Sequence, residues 1–313
     1  MSNGAGANKR WRSVMSDTTA AAPPAPLVDP GAIKQIAPDV YVIGDRRVPL
    51  VPNIGIILGR DAVLVVDTGM GPENGEKVLA TGKRLAGSRR LILTLTHFHP
   101  EHGFGAQAFK GVAKIRYNSA QRDELREKGE AYLGMFKTFG PGVAAALEGT
   151  LLVEPDEVYD EASTVIDLGG RRVELRTWGL AHTAGDQVVW LPEERILFTG
   201  DLAEERIFPI FPWFPPQDAT IDAARWAQIL TEVASWNPAI VVPGHGDLGG
   251  VGIVNAVRDY IVDLGQRVRR EREAAKGADA IVAELAPKIR AEHPDWSAPE
   301  WIDFAIRYYA TLS

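Results

Sequence analysis

The sequence of 313 residues predicts an α/β fold, a four-layer αββα sandwich in which helices cover two packed β-sheets, with extra helices at the C-terminus. Two observations predict this fold. Short apolar segments of strand composition occur in both halves of the chain, and helical patterns separate them. Beyond residue 252 the pattern is helical as far as residue 311.

In the first half of the chain, strands are predicted over 40–43, 54–58, 62–66, 90–96 and 113–117, and helices over 74–86 and 120–128. The strand at 90–96 (RLILTLT) runs directly into a group of histidines. Because α/β proteins build sites at the carboxyl ends of strands, this junction is a candidate site. The segment 129–150 is rich in Gly and Ala and can form a helical lid.

In the second half, strands are predicted over 164–168, 172–178, 187–191, 196–198 and 240–242. An amphipathic helix is predicted over 221–236, with Asp218 or Thr220 as its N-cap. Further helices are predicted over 252–272, 278–292 and 299–311. The last of these belong to a helical extension, 276–313, which we expect to pack on a single domain spanning 28–275.

The first 27 residues differ in composition from the rest of the chain. Residues 1–17 are small, polar and basic, and an Ala/Pro tract follows them, which predicts a disordered tail or an arm exchanged in a dimer. No continuous apolar segment follows Lys9, Arg10 and Arg12, so a secretory signal is not expected. A cytoplasmic location is favoured, and a periplasmic one stays open.

Composition narrows the classes of partner. The net charge of −7 argues against a groove that binds nucleic acid through phosphate contacts. No apolar segment approaches the roughly 20 residues of a membrane-spanning helix. The absence of cysteine excludes disulfides, thiolate metal ligands and a thiolate nucleophile.

The segment His97-Phe98-His99-Pro100-Glu101-His102 places four potential metal ligands within six residues, in a chain that has six histidines. Residues two apart on extended backbone point to the same side, so His97 and His99 can bind one ion together. Glu101 and His102 follow Pro100, which bends the chain, and they can face a second ion. Imidazole nitrogens and carboxylate oxygens are the ligands of zinc and similar ions.

Three further candidate ligands lie in turns that follow apolar segments. His182 lies in GLAHTAGD, Asp201 ends TGD, and His245 lies in PGHG. The remaining histidine, His293, lies in a helical context and is expected to be a surface or packing residue.

These motifs, T-H-x-H-x-E-H, G-x-x-H-T-x-G-D, T-G-D and P-G-H-G, resemble those of the metallo-β-lactamase-fold hydrolase superfamily, in the same order. The resemblance extends over about 36–270. The carboxylate residue at position 201, Asp201, resembles the pattern of the glyoxalase and lactonase branch. It implies the αββα sandwich already predicted from the strands. It also implies a site for Zn²⁺, one or two ions per chain, with iron or manganese as alternatives.

The ligand set that the resemblance implies divides between two ions. The first is assigned to His97, His99 and His182, the second to His102 and His245, and Asp201 bridges them. Asp67, in the V-D-T-G turn, matches a family position that supports a ligand histidine from behind.

Glu101 departs from the family pattern, which has Asp at this position. The longer side chain leaves three outcomes open: Glu101 binds the second ion, it acts as a base toward water, or the second site is weak. Ligation is favoured, because a carboxylate ligand tolerates some displacement. Glu101 and Asp201 are also the predicted catalytic residues, which receive a proton and pass it to the leaving group.

The predicted reaction is hydrolysis, in which a metal-bound hydroxide attacks an ester, lactone, thioester or lactam carbonyl. Phosphoester hydrolysis and hydrolytic dehalogenation are alternatives on the same metal centre. Two other classes stay open: a mononuclear iron oxygenase, and a metal-binding scaffold without catalysis.

The expected substrate is a small molecule with an apolar part, because aromatic residues follow Asp201. In the segment 207–216 these are Phe208, Phe211, Trp213 and Phe214. They can line a substrate pocket, pack on the C-terminal helices, or form a homodimer interface. A second set at near-helical spacing, Tyr132, Met135, Phe136 and Phe139, can cap the same cleft or belong to the core.

Overall fold

The computed structural model describes residues 24–212, 214 and 221–312, which form two sheets and their covering helices. The first sheet has seven strands in sequence order, with β1 to β4 antiparallel and β4 to β7 parallel. Its strands are β1 (Ile33–Ala37), β2 (Val40–Ile43), β3 (Ile54–Leu58), β4 (Ala62–Val66), β5 (Arg90–Thr94), β6 (Lys114–Asn118) and β7 (Glu157–Tyr159).

The second sheet has five strands in the order β12-β11-β10-β9-β8, antiparallel except for the parallel pair β11 and β12. Its strands are β8 (Ser163–Asp167), β9 (Arg172–Thr177), β10 (Gln187–Leu191), β11 (Ile196–Gly200) and β12 (Ile240–Pro243).

Eight α-helices lie in the described part of the chain. They are α1 (Gly71–Ala86), α2 (Pro100–Gly103), α3 (Ser119–Phe136), α4 (Pro141–Ala146), α5 (Ala223–Ser235), α6 (Gly252–Glu273), α7 (Ala278–Glu292) and α8 (Trp301–Thr311). Short 3-10 helices occupy Pro30–Ala32, Ala106–Phe109 and Lys137–Phe139. Within the same residues, no helix is long and apolar enough to cross a membrane.

Strand β4 shows how the layers form. Side chains alternate between the two faces of a strand, and Leu64 and Val66 pack with the second sheet, while Val63 and Val65 pack with the helices. Because both faces of β4 are buried, its sequence is apolar throughout rather than alternating with polar residues. The predicted α/β sandwich with extra C-terminal helices is thus confirmed.

The sequence missed or misplaced several elements. Strands β1 and β7 were not predicted, because β1 is partly exposed and carries polar residues, and β7 has only three residues. Helix α5 begins after Asp222, whose side chain accepts a hydrogen bond from the Arg225 N–H, so the predicted caps at 218 and 220 were wrong.

Helix α3 continues beyond residue 128, where the predicted helix ended, and includes Gly129. A Cβ at Gly129 would lie 2.6 Å from the Leu152 side chain, so the glycine allows a neighbouring segment to approach the helix closely. The segment 129–150, predicted as a helical lid, contains the end of α3, a 3-10 turn and α4.

Most of the predicted disordered tail, 1–23, lies outside the described residues. Its last part is held on the domain: the Asn74 amide donates to the Pro26 carbonyl at 2.7 Å and accepts from the Val28 N–H at 2.8 Å. At the other end of the chain, α7 and α8 bury Ile281, Leu285 and Ile306 in the main core.

The aromatic segment after Asp201 packs largely on the C-terminal helices. Phe208 lies against Tyr260, His293 and Trp296, which also makes His293 a packing residue as expected. Phe211 contacts Trp226, Tyr308 and Tyr309, and it is fully buried like Phe208. The packing interpretation holds for these two residues, whereas Trp213 lies outside the described residues.

Replacement of Phe211 tests this packing. We expect Phe211→Ala to lower the free energy of unfolding by about 3–5 kcal/mol, because it leaves a cavity among buried aromatic rings. Urea unfolding measures the change, with Val112→Ala at an exposed position as the control, expected within about 0.5 kcal/mol of the wild type. Equal stability of the two variants would contradict the packing.

Candidate metal centre

The candidate ligands meet at one edge of the sandwich, where strands from both sheets end. His97, His99 and His102 follow β5, and Asp201 and His245 follow β11 and β12. Since β4 and β5 are parallel, as are β11 and β12, their carboxyl ends lie together. All of these side chains are buried.

A first cluster contains His97, His99, His182 and Asp201. His99 Nδ1 lies 3.1 Å from His97 Nε2 and 3.4 Å from His182 Nε2. His97 Nε2 lies 3.6 Å from Asp201 Oδ2. A tetrahedral ion bound at 2.0–2.1 Å separates its ligand atoms by roughly 3.4 Å, so this spacing suits a zinc-sized ion.

A second cluster contains Glu101, His102, Asp201 and His245, whose candidate ligand atoms lie within 4.8 Å of one another. Asp201 Oδ1 lies 3.2 Å from His102 Nε2 and 3.7 Å from His245 Nε2. Asp201 thus turns one carboxylate oxygen toward each cluster. The structure brings Glu101 into the second cluster despite its longer side chain.

Unpaired buried atoms support a metal at this place. Within the described residues, Glu101 Oε2, His102 Nε2 and both carboxylate oxygens of Asp201 are buried without a hydrogen-bond partner. Native proteins rarely leave buried polar atoms unpaired, because each one costs a desolvation penalty. Metal ions between these atoms would satisfy all of them.

The histidines of the first cluster have lowered pKa values, which favour the neutral form that binds a metal cation. Burial and the neighbouring His102 hold the pKa of His97 well below its usual value, and burial together with His182 does the same for the pKa of His99. Burial also lowers the pKa of His182 to about 4. These imidazoles are therefore neutral at physiological pH, as a metal ligand must be.

In the second cluster, the interactions between carboxylates and histidines shift the pKa values of both. Burial disfavours a charged His102, but Asp201 and Asp67 outweigh burial and raise the pKa of His102 well above its usual value. Burial raises the pKa of Asp201, but His102 and His245 outweigh it and hold that pKa well below the usual range. Burial raises the pKa of Glu101. Asp201 is therefore the anionic group at the middle of the centre.

Asp67 supports His102 from behind, where the family resemblance placed it. Its carboxylate accepts from the Thr96 N–H at 2.7 Å and the Thr96 hydroxyl at 2.9 Å, and it lies 2.9 Å from His102 Nδ1. With Asp67 beside Nδ1, Nε2 is the atom directed at Asp201, and a metal bound there would take the place of its proton. Asp67 has a positive φ of 68°, an uncommon conformation for a non-glycine residue that is often found at functional sites.

The start of helix α3 supports the first cluster, and sequence reasoning missed this. Gln121 Nε2 donates to the Leu95 carbonyl at 2.8 Å, next to the histidine motif. Asn118 Nδ2 donates to the Gly185 carbonyl at 2.9 Å, and Glu124 accepts from the Gly185 N–H at 2.9 Å. The capping box formed by Asn118 and Gln121 was a readable signal for the helix start, although not for its contacts.

Aromatic side chains border the first cluster. Tyr132 stacks on His99 at 5.2 Å between ring centroids with an interplanar angle of 23°. Phe214 meets Tyr132 edge-on at 5.5 Å, and Phe98 does so at 5.1 Å. From the two aromatic sets in the sequence, Tyr132 thus contacts a candidate ligand, and Phe214 contacts Tyr132.

Glu204 is a second buried carboxyl group that the sequence reasoning missed. Burial, together with the nearby charges of Asp201 and Glu101, raises its pKa well above the usual value. Its position three residues after the T-G-D motif was visible in the sequence, but its burial was not.

Comparison with known proteins agrees with this geometry. Residues 47–245 match the family model described as the metallo-beta-lactamase superfamily. Because the match covers more than half of the chain, the chain belongs to the metallo-β-lactamase superfamily. The superfamily is one of metallo-hydrolases.

Three relatives have different activities. The acyl-coenzyme A thioesterase MBLAC2 of Gallus gallus is 26% identical over 239 residues, covering 72% of this chain and 82% of the relative. A linear primary-alkylsulfatase of a Pseudomonas species is 24% identical, covering 59% of this chain and 40% of the relative. A type 2 metallo-beta-lactamase of Bacteroides fragilis is 29% identical, covering 34% and 42%. The chain thus spans less than half the length of the last two.

Solved structures share the fold. The sec-alkylsulfatase Pisa1 from Pseudomonas sp. matches with a TM-score of 0.67 and 17% identity, covering 97% of this chain and 55% of that one. The DIM-1 metallo-beta-lactamase matches with a TM-score of 0.55 and 17% identity, covering 74% and 96%. The match to the alkylsulfatase therefore includes nearly the whole chain.

Asp186 gives the loop of His182 a pH-dependent stability. Its carboxylate accepts from the N–H and the hydroxyl of Thr183, and burial raises its pKa to about 8. Because the pKa of Asp186 is higher in the folded than in the unfolded state, folding favours its protonated form. This contribution to the free energy of unfolding is complete below about pH 4 and is lost as the pH rises through 8. At about 1.4 kcal/mol per pKa unit, several kcal/mol are involved.

We therefore expect the unfolding free energy of the wild type to fall between pH 5 and pH 9 relative to that of Asp186→Asn, which cannot titrate. Urea unfolding of the metal-free proteins measures the difference. Asp259→Asn, at an exposed side chain, is the control and should follow the wild type. Identical pH profiles for Asp186→Asn and the wild type would show that Asp186 is ionised throughout this range.

Proposed function

We propose that this protein is a dinuclear hydrolase, with zinc as its metal, that cleaves a carboxylic ester or thioester of a small molecule with an apolar part. The ligands of the first ion are His97, His99 and His182. Those of the second ion are Glu101, His102 and His245. Asp201 is shared by the two ions.

The observation that carries this proposal is the geometry of Asp201. Its Oδ2 lies 3.6 Å from a histidine of the first cluster and its Oδ1 lies 3.2 Å from one of the second. Neither oxygen has a hydrogen-bond partner in the described part of the chain. A single buried carboxylate between two groups of imidazoles is the arrangement that a pair of ions requires.

When bound, the ions would activate a water molecule near neutral pH and polarise the substrate carbonyl. The protein holds the surrounding groups. Asp67 directs His102, and the start of α3 positions the loop of His182. Glu101 is a ligand in this proposal, because its carboxylate already lies within the second cluster.

The proposed substrate class rests on two observations. The thioesterase relative is matched over 82% of its length, more than the other two relatives described above. Tyr132 stacks on His99, and the half-buried ring of Phe214 contacts Tyr132, where it offers an apolar surface for an acyl chain or ring. Hydrolysis of a lactone or lactam would place the same demands on the metal centre.

Sulfate ester hydrolysis is the second candidate. The observation that favours it is the fold match to the sec-alkylsulfatase, which covers 97% of this chain and so includes the C-terminal helices. The two candidates differ in their products, because a sulfatase releases inorganic sulfate and a thioesterase releases a thiol.

Metal content and substrate turnover test the proposal together. We expect two zinc ions per chain by elemental analysis of the wild type, with turnover of an acyl thioester or an ester. Asp201→Asn should bind at most one ion and lose about 10²–10⁴-fold in kcat/KM. The control Asp259→Asn should keep both metals and full activity.

Glu101→Asp separates the roles of Glu101. Two ions in both the wild type and the variant would support Glu101 as a ligand. One ion in the wild type, rising to two in the variant, would contradict the dinuclear proposal for the natural chain. Release of inorganic sulfate, without turnover of esters or thioesters, would favour the second candidate.

A further inference from the structure

A loop far from the ligand motifs in the sequence holds one of the candidate ligands. Residues 44–53, here the 44–53 loop, connect β2 to β3 and contact the P-G-H-G turn that carries His245. Arg46, Arg47 and Leu50 in this loop have positive φ angles of 53°, 54° and 62°. Non-glycine residues adopt this conformation unfavourably, so the surrounding contacts must fix the loop.

Asn53 makes most of these contacts. Its Nδ2 donates to the Pro243 carbonyl at 3.1 Å and to the Gly246 carbonyl at 2.8 Å, on the two sides of His245. Its backbone N–H donates to the Gly244 carbonyl at 2.8 Å. Asn53 is buried, so these bonds are shielded from water. The turn around His245 is therefore bonded to Asn53 at three points.

Asp45 completes the support. Its carboxylate accepts from the Gly246 N–H at 2.7 Å and from the Arg47 N–H at 3.0 Å, and its own N–H donates to Asn53 Oδ1 at 3.1 Å. Arg47 then pairs with Asp247 at 2.9 Å, on the other side of the turn. Asp45 and Asn53 thus hold each other as well as the turn.

The same loop determines which ring nitrogen of His245 carries the hydrogen. The Val51 carbonyl lies 2.9 Å from His245 Nδ1, and a carbonyl can only accept, so Nδ1 carries the hydrogen. This leaves Nε2, 3.7 Å from Asp201 Oδ1, with its lone pair directed at the second cluster. The hydrogen bond therefore fixes both the ring orientation and the tautomer that a metal ligand needs.

The first cluster has separate supports. His97 and His99 follow β5, whose end is held by Gln121, and the loop of His182 is held by Asn118 and Glu124. None of these bonds involves the 44–53 loop. A change at Asn53 should therefore act on one cluster and spare the other.

We infer that Asn53 is a positioning residue for His245, and that the 44–53 loop selectively determines occupancy of the second metal position. The predicted effect on metal occupancy rests on the proposed function. The placement of His245 can be measured without metal. We therefore expect that the two metal positions of this chain can be weakened independently.

Asn74 provides a matched control for Asn53. It too is buried and makes three side-chain hydrogen bonds to backbone, donating to Pro26 and Met70 and accepting from Val28. None of its side-chain hydrogen bonds reaches a member of either cluster. Asn53→Leu and Asn74→Leu remove comparable bonds and should lower the urea midpoint by comparable amounts.

The test is a zinc titration of the metal-free proteins in competition with a chelator. Asn53→Leu should bind the second ion about 10–100-fold more weakly than the wild type, with the first ion little changed. Asn74→Leu should bind both ions as the wild type does. Unchanged binding of the second ion by Asn53→Leu, or equal weakening of both ions, would overturn the inference.

A second readout uses the metal-free protein. Nitrogen chemical shifts of the His245 ring should report a hydrogen on Nδ1 in the wild type and in Asn74→Leu, and a mixture of tautomers in Asn53→Leu. If the wild type binds fewer than two ions, the proposed function fails, and this readout still decides the role of Asn53. An unchanged ring spectrum in Asn53→Leu would reject that role. Asn53→Ser and Asn74→Ser are a milder pair, to be used if the Leu variants do not fold.

Discussion

The carboxylate of Asp201 is the constraint on which the rest of the site depends. An ionised carboxylate buried among three histidines is tolerable only when positive charge surrounds it. The neighbouring backbone shows how closely it is enclosed, because a Cβ at Gly244 would lie 1.9 Å from Asp201 Oδ1. A side chain at Gly244, the first glycine of the P-G-H-G motif, would thus collide with the carboxylate. Both clusters form around the two oxygen atoms of Asp201.

The two clusters are supported by different parts of the fold. Helix α3 holds the strand end and the loop of the first cluster through Asn118 and Gln121. The 44–53 loop and Asp67 hold the second cluster through His245 and His102. Asp201 is the shared member, and the segment 97–102 supplies ligands to both clusters. Independent support of this kind allows the two positions to differ in affinity.

The ligand candidates could be predicted because each motif is local and follows an apolar strand, as with His97 and His99 after β5. The complete burial of β4 likewise follows from its apolar sequence. The supports could not be predicted, because Asn53 and Gly246 are 193 positions apart and nothing in the sequence pairs them. The aromatic segment was ambiguous for a similar reason, since the rings of Tyr308 and Tyr309 that bury Phe211 come from the last helix.

The central claim is that Asp201 joins two metal ions, and diffraction on both sides of the zinc absorption edge tests it most directly. Crystals grown with zinc should show two anomalous peaks roughly 3.5–4 Å apart. Each peak should lie about 2.0–2.2 Å from a different oxygen of Asp201. A single peak, or two peaks of which one has no contact with Asp201, would contradict the account.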